Sequence, residues 1–274
     1  MPLFTVDPDK CNRDGICVAE CPSRVILTAS PKDIPVPAPD AEEHCLQCGH
    51  CVSVCPEGAL SLSWLKPDEC LSLDPELHLT QKQADQFLAS RRSIRTFRKK
   101  PVEHEKLKKL LEIACGAPSA KNAQPWHWLV VENTAEVRRL AGLVMDWVRL
   151  IIQNRPEMAE QMKLPRVLEA WENGEERICR GAPHVIVVHG DKDWPFGSED
   201  GALALSHLDL YAPTMGLGTC WGGYLYTAAN NFPPLFKAMG LPPEHRAYGA
   251  MMVGYPRFKY RRIPRRNPPR VVWA

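Results

Sequence analysis

Seven of the chain's eleven cysteines crowd into residues 11–55, in spacings that suit metal ligation. Cys45, Cys48, Cys51 and Cys55 run C-x2-C-x2-C-x3-C, with Pro56 directly after. Moving each back by 34 positions gives Cys11, Asp14, Cys17 and Cys21, with Pro22 after. The chain therefore holds two copies of one unit in register, with one ligand position changed from thiol to carboxylate. Closely spaced thiolates of this kind wrap an iron–sulfur cubane, and the cysteine before proline reaches the neighbouring cluster. Structural zinc is the competing reading, but it usually pairs two CxxC units across a longer gap. The opening decapeptide MPLFTVDPDK lacks a basic stretch followed by an apolar one. No export signal is therefore expected, and cysteines in such a cytoplasmic setting favour metal over disulfides.

Residues 1–65 resemble bacterial two-cluster ferredoxins, down to the CPEGAL ending. The resemblance implies that Cys21, Cys45, Cys48 and Cys51 hold one [4Fe-4S] cluster. Cys11, Asp14, Cys17 and Cys55 would hold the other. An oxygen ligand is harder than a thiolate, so the Asp14 iron would be held more weakly, and its loss would give [3Fe-4S]. The alternative is that Asp14 only makes a turn with Gly15. His44 and His50 are read as solvated loop residues. Cys70, Cys115, Cys179 and Cys220 lie outside the pattern and are expected to be buried, inert thiols.

These ligands need elements to position them. At 274 residues, two domains are the first expectation. We read residues 1–66 as a two-cluster ferredoxin domain, 67–85 as a linker, and 86–274 as an α/β domain, α+β overall. SPKDIPVPAPD (30–40) is an extended excursion inside the first domain. Leu107, Leu110, Leu111 and Ala114 fall at i, i+3, i+4 and i+7, an amphipathic helix closed by Gly116 and Pro118. WHWLVVE (126–132), PHVIVVHG (183–190) and AYGAMMVGY (247–255) read as strands, and EDGALALSHLDLYAPTMG (199–216) as a buried helix. No apolar run reaches the roughly 18 residues that span a bilayer. The formal charge of +2 points to no polyanionic partner. Seven cations in 257–270 are broken up by Pro264, Pro268 and Pro269, so nucleic-acid binding is not expected.

SRRSIRTF (90–97) sets Arg91, Arg92 and Arg95 in a helical pattern around Ser93, a candidate phosphate grip. In APSAKNAQPWHWLVV (117–131), Asn122 and Gln124 offer amides suited to the edge of a heterocycle. GLGTCWGG follows a helix rather than a strand and lacks dinucleotide-fingerprint spacing. Together these stretches, with GLGTCWGGYL (216–225) and GYPRFKYRRIP (254–264), closely resemble the flavin-binding motifs of the nitroreductase family across residues 86–274. The resemblance implies FMN contacts at Arg91, Arg92, Ser93, Arg95, Pro118, Ser119, Asn122, Gln124, Trp221, Gly222, Gly223 and Arg262, with Arg265 or Arg266 as substitutes for the last.

It also implies a homodimer with FMN at the interface. The helix at 202–213 and the extension at residues 142–171 are candidates for that interface, and the extension is equally a candidate lid. Clusters handle single electrons, whereas flavin accepts them singly and delivers pairs. The expected function is an FMN-dependent oxidoreductase fed through its clusters by an external donor, ferredoxin or NAD(P)H. Its substrate would be a small electrophile of nitroaromatic, quinone or enone type. No catalytic acid–base pair is evident, so the flavin would carry the chemistry. The alternatives are an NAD(P)H-oxidising flavoenzyme whose clusters export electrons to a partner, and a non-catalytic electron carrier or redox sensor.

Overall fold

A computed structural model describes residues 2–30 and 32–274. Pro31, within the expected excursion, lies outside them. The chain divides into two units, one comprising the described residues up to His78 with Lys121–Ala123, the other Leu79–Ala120 with Gln124–Ala274.

In the first unit β1 (Phe4–Val6) precedes α1 (Ile16–Glu20), β2 (Ile26–Leu27) and β3 (Val36–Pro37). Next come α2 (Ala41–His44), α3 (His50–Ser53) and β4 (Leu60–Leu62). β1 pairs antiparallel with β4, and β2 with β3, so the proline-rich excursion closes as a small hairpin. The sequence repeat reappears in the backbone. Gly15 and Gly49, each at φ 72°, start α1 and α3, and Arg13 and Gln47, then Arg24 and Gly58, are further left-handed pairs 34 residues apart. Cys11 N–H donates to Asp7 O as Cys45 N–H donates to Ala41 O, both at 3.0 Å. A left-handed turn costs glycine little, which is why it opens each helix. Between the copies Leu3, Phe4, Val25, Ile26, Val52, Leu60 and Leu62 form a compact core.

The second unit opens with α4 (Gln81–Ser90), capped reciprocally by Thr80 and Gln83, and α5 (His104–Ala114). Half of α4 thus falls within the stretch read as linker. β5 (His127–Val131), α6 (Thr134–Asn154), α7 (Pro156–Gln161), α8 (Leu164–Glu172) and β6 (His184–Asp191) follow. α9 (Gly197–Tyr211), β7 (Gly218–Trp221), α10 (Gly223–Asn231), α11 (Pro233–Ala238) and β8 (His245–Gly254) complete it.

The sheet runs β5-β6-β8-β7, antiparallel throughout. β6 is buried from His184 to Gly190, because helices cover both faces. Alternation deals its side chains to two cores. Val185 and Val187 join Val144, Met145, Trp147 and Val148 of α6, while Ile186 and Val188 join Leu107 and Leu110 of α5 and Leu205 and Leu208 of α9. The expected helix at 104–114 thus buries Leu107, Leu110 and Ala114, with Leu111 half-buried. The first half of the 142–171 extension, within α6, buries Val144, Met145, Trp147 and Val148 in the domain's own core.

One irregularity in β6 has an electrostatic consequence. Up to Val188 the β6–β8 register pairs Val188 with Gly249, but a bulge then sets His189 opposite Ala247. That slip of one residue places His245 on the same face as His189, where His127 of β5 already stands directly across. The Nδ1 atoms of His189 and His245 are 2.9 Å apart, and the His127 ring lies 4.7 Å from that of His245. Burial first, then the neighbouring His245 and His127, pushes His189 down to about 4. A histidine whose folded value is depressed favours folding while neutral. Its contribution is present above the ordinary value near 6.5 and is lost as pH falls toward 4. Thermal melting followed from pH 7 to pH 4 is expected to show falling stability across that window, and His189→Gln to flatten the fall. An unchanged slope in the variant assigns the loss to other groups.

Candidate functional site

The first unit sorts its cysteines into two groups. Cys11, Asp14, Cys17 and Cys55 line one cavity, together with Asn12 and Gly15. Cys21, Cys45, Cys48 and Cys51 line another, walled by Leu3, Phe4, Ile26 and Leu62. Burial raises the Cys17 thiol, and Cys55, Asp14 and Cys11 add to the rise. Cys51 is pushed up to about 11 by burial, with Cys48, Cys21 and Cys45 opposing its ionisation. Four acidic groups crowded in a half-buried pocket repel one another when ionised unless a cationic centre sits among them. The donor set therefore fits an iron–sulfur cluster in each cavity. Backbone amides already point at sulfur: Gln47 N–H to Cys45 Sγ at 3.4 Å and Ala59 N–H to Cys55 Sγ at 3.3 Å. Asp14 does make a turn, its Oδ1 accepting Ile16 N–H at 3.0 Å while its own N–H donates to Asn12 Oδ1. His44 pairs with Asp40 at 3.3 Å, and His50 is exposed.

Outside these groups, Cys179 and Cys220 are buried as expected. Cys115 is exposed and Cys70 half-buried, which corrects the expectation for those two. Cys115 follows the last turn of α5 at the surface, and Cys70 packs at the edge of the first unit's core.

In the second unit the arginine segment departs from its helical reading. α4 ends at Ser90, and residues 91–97 run extended beside β7 and the end of β8. Ile94 N–H donates to Thr219 O at 2.7 Å, Arg98 N–H to Tyr255 O at 2.8 Å, and Phe97 bridges Pro256. An extended chain sends alternate side chains to opposite sides. Arg92 and Ile94 line a cavity of about 520 Å³ with Arg98, Thr219, Tyr255 and Lys259. Arg95 lines a second cavity of about 400 Å³ with Arg177, Arg180, Cys220, Trp221, Gly223 and Tyr224. Ser93 lies on this same side, where it helps lower the Cys220 thiol that burial raises. Arg91 is held away by a 3.1 Å ion pair to Asp209, whose other oxygen accepts from Thr219.

Gly222 takes the approach that leads into α10, its N–H donating to Ala250 O at 2.8 Å. Pro118, Ser119 and Gln124 sit in the loop after α5, where Ser119 Oγ accepts Gln124 N–H at 2.9 Å. Buried Asp200 of α9 anchors that loop, its two oxygens accepting Ala120 N–H at 2.9 Å and Trp194 Nε1–H at 2.8 Å. Asn122 belongs to the first unit, and its amide donates to the carbonyls of Leu46 and Gln47. Arg262, Arg265 and Arg266 lie exposed in the tail and line neither cavity. Sequence reading missed Arg177, Arg180, Lys259 and Asp200 as site residues. Arg177 and Arg180 stand in no motif, whereas Lys259 lies within GYPRFKYRRIP and Asp200 within the helix read at 199–216.

The fold of the second unit is shared with known proteins. Residues 88–255 match the nitroreductase family model. The chain belongs to the nitroreductase family. Residues 9–60 match the 4Fe-4S dicluster domain. The chain is thus a nitroreductase-like flavin oxidoreductase with an iron–sulfur domain. Iodotyrosine deiodinase of Thermotoga neapolitana is 29% identical over 167 residues, 61% of this chain and 84% of that protein. The 5,6-dimethylbenzimidazole synthase of Rhodospirillum rubrum is 25% identical over 63% of this chain and 82% of its own. Among solved structures, a nitroreductase with bound FMN from Bacteroides fragilis superposes with a TM-score of 0.58 at 20% identity, covering 69% of this chain and 98% of that one. Oxidized iodotyrosine deiodinase bound to FMN and 3-iodo-L-tyrosine superposes with a TM-score of 0.53 at 25% identity, covering 68% and 97%. Among the described residues no helix is long and apolar enough to cross a membrane.

Proposed function

We propose that this chain is an FMN-dependent oxidoreductase that takes single electrons from an external donor into two iron–sulfur clusters and delivers them in pairs to a small electrophile. The observation that carries the reading is the sorting of side chains. Two separate ligand groups line two cavities of the first unit, and the flavin-motif residues Arg92 and Arg95 line cavities of the second. Bound flavin supplies hydride chemistry, and the clusters one-electron chemistry. The protein's residues bind and orient. Arg92 and Arg95 supply charged donors for an anionic cofactor, Ser93 adds a hydroxyl, and Asp200 holds the Pro118–Gln124 loop in shape. The chain is expected to work as a homodimer, with part of the flavin's surroundings coming from the partner chain. FMN in solved relatives supports the cofactor. Asp14 is assigned as the fourth ligand of the first cluster, because it occupies the position of Cys48 in the repeat and lines the same cavity as Cys11, Cys17 and Cys55.

Anaerobic reduction of the full protein, already assayed for iron, sulfide and FMN, tests the direction of flow. Reduced ferredoxin is expected to bleach the flavin rapidly, and NADH or NADPH to do so slowly. Rapid bleaching by a nicotinamide instead makes this a pyridine-nucleotide enzyme whose clusters pass electrons onward. Asp14→Cys is expected to keep both clusters and to slow oxidative loss of iron from the first, read by electron paramagnetic resonance. Spectra and stability identical to the wild type would remove Asp14 from the ligand set.

A further inference from the structure

The cavity around Arg95 carries more positive charge than the flavin motifs account for. Arg177 and Arg180 reach it from the segment between α8 and β6, which no flavin motif includes. That segment is built to hold Arg180 in place. The Glu176 carboxylate accepts Cys179 N–H at 2.5 Å and Gly181 N–H at 2.8 Å, bracketing Arg180 from both sides. Within the bracket Arg180 adopts φ 58° and Gly181 φ 65°. A non-glycine residue in the left-handed region is strained and persists where its surroundings over-determine it.

The charge is only partly offset. Arg177 pairs with Glu175 at 2.5 Å, and Arg91 takes up Asp209 at 3.1 Å. Among the described residues neither Arg95 nor Arg180 has an ion-pair partner. The buried Cys220 thiol reports the field there. Burial raises its pKa, while Arg95 and Arg180 both pull it back down. The remaining walls are mostly apolar or aromatic: Met162, Ile178, Tyr224, Met252 and a Trp221 that is 38% exposed, with the hydroxyl of Thr227. At about 400 Å³ the space is of small-molecule size.

We propose that the electrophile reduced by this enzyme is an anion, an aromatic or conjugated carboxylate whose charged group is held by Arg180, with Arg177 beside it and the ring between Trp221 and Tyr224. The proposal rests on the reading of the second unit as a flavin enzyme and names the substrate class of that site. Guanidinium forks match carboxylates bidentately, and such charged hydrogen bonds contribute about 1.5–3 kcal/mol, roughly 10- to 100-fold in affinity. The one other anion with a claim on these cations is the phosphate of FMN.

The test uses the flavin-loaded full chain with 4-nitrobenzoate and its neutral methyl ester, first by calorimetric titration without reductant. The acid is expected to bind at least about tenfold more tightly than the ester. Arg180→Gln is expected to bring the ratio near one, and Arg180→Lys to restore part of it. Arg177→Gln gives a smaller loss, since Glu175 already engages that side chain. Equal affinities in the wild type, or an unchanged ratio in Arg180→Gln, overturns the proposal. So does loss of flavin from Arg180→Gln, which assigns the cation to FMN phosphate. Turnover is then followed anaerobically with reduced ferredoxin, two electrons and two protons converting each nitro group to nitroso and water. The acid-to-ester ratio of kcat/KM is expected to follow the binding ratio. A protein that holds no flavin or reduces neither compound, yet keeps the binding preference, contradicts the proposed function and leaves the anion site standing.

Discussion

The backbone hydrogen bond from Ile94 N–H to Thr219 O is the constraint on which the second unit's site depends. With Arg98 N–H on Tyr255 O and the Phe97–Pro256 bridge, it fixes residues 91–97 as an extended edge segment. Period-two alternation then gives Arg92 to one cavity and Arg95 to the other, and packs Ile94 against Gly218. A Cβ on Gly218 would come within 2.3 Å of the Ile94 side chain, so the strand can approach only because that residue is glycine. Had the segment been helical, three arginines would have shared one face.

Beneath that edge, β6 and β8 supply the rigidity. Their side chains enter both cores, and Ala250, Val253, Val187 and Val188 are fully buried. Close packing of this kind is hardly compressible, so the loops it carries rest on a rigid base. The first unit achieves rigidity differently. It has a small core, and its shape comes from left-handed turns repeated 34 residues apart, which leave the cysteines clustered at two places. Metal clusters bound at those two places would add folding energy that so small a core does not supply.

Much of this was legible in the sequence. The cysteine repeat, the amphipathic helix through Leu107 and Leu110 and three of the second unit's strands all follow from spacing and periodicity. The helical reading of Arg91, Arg92 and Arg95 failed because three arginines at suitable spacing carry no information about which backbone presents them; β7 and β8 decided that. Val144, Met145, Trp147 and Val148 looked like spare apolar surface because their partners on α8 and α10 are distant in sequence. Asp200 and Arg180 were invisible for a related reason. One acts through the Ala120 amide and the Trp194 indole outside its own helix, and the other through a turn set by Glu176.

The proposed function stands or falls on electrons entering through the clusters. Stopped-flow reduction of Cys51→Ala by reduced ferredoxin, compared with the wild type at equal flavin content, decides this. Flavin occupancy is expected to survive while the rate of flavin reduction falls by about tenfold or more. Flavin reduction as fast as in the wild type, with the cluster at Cys21, Cys45 and Cys48 lost, would contradict it.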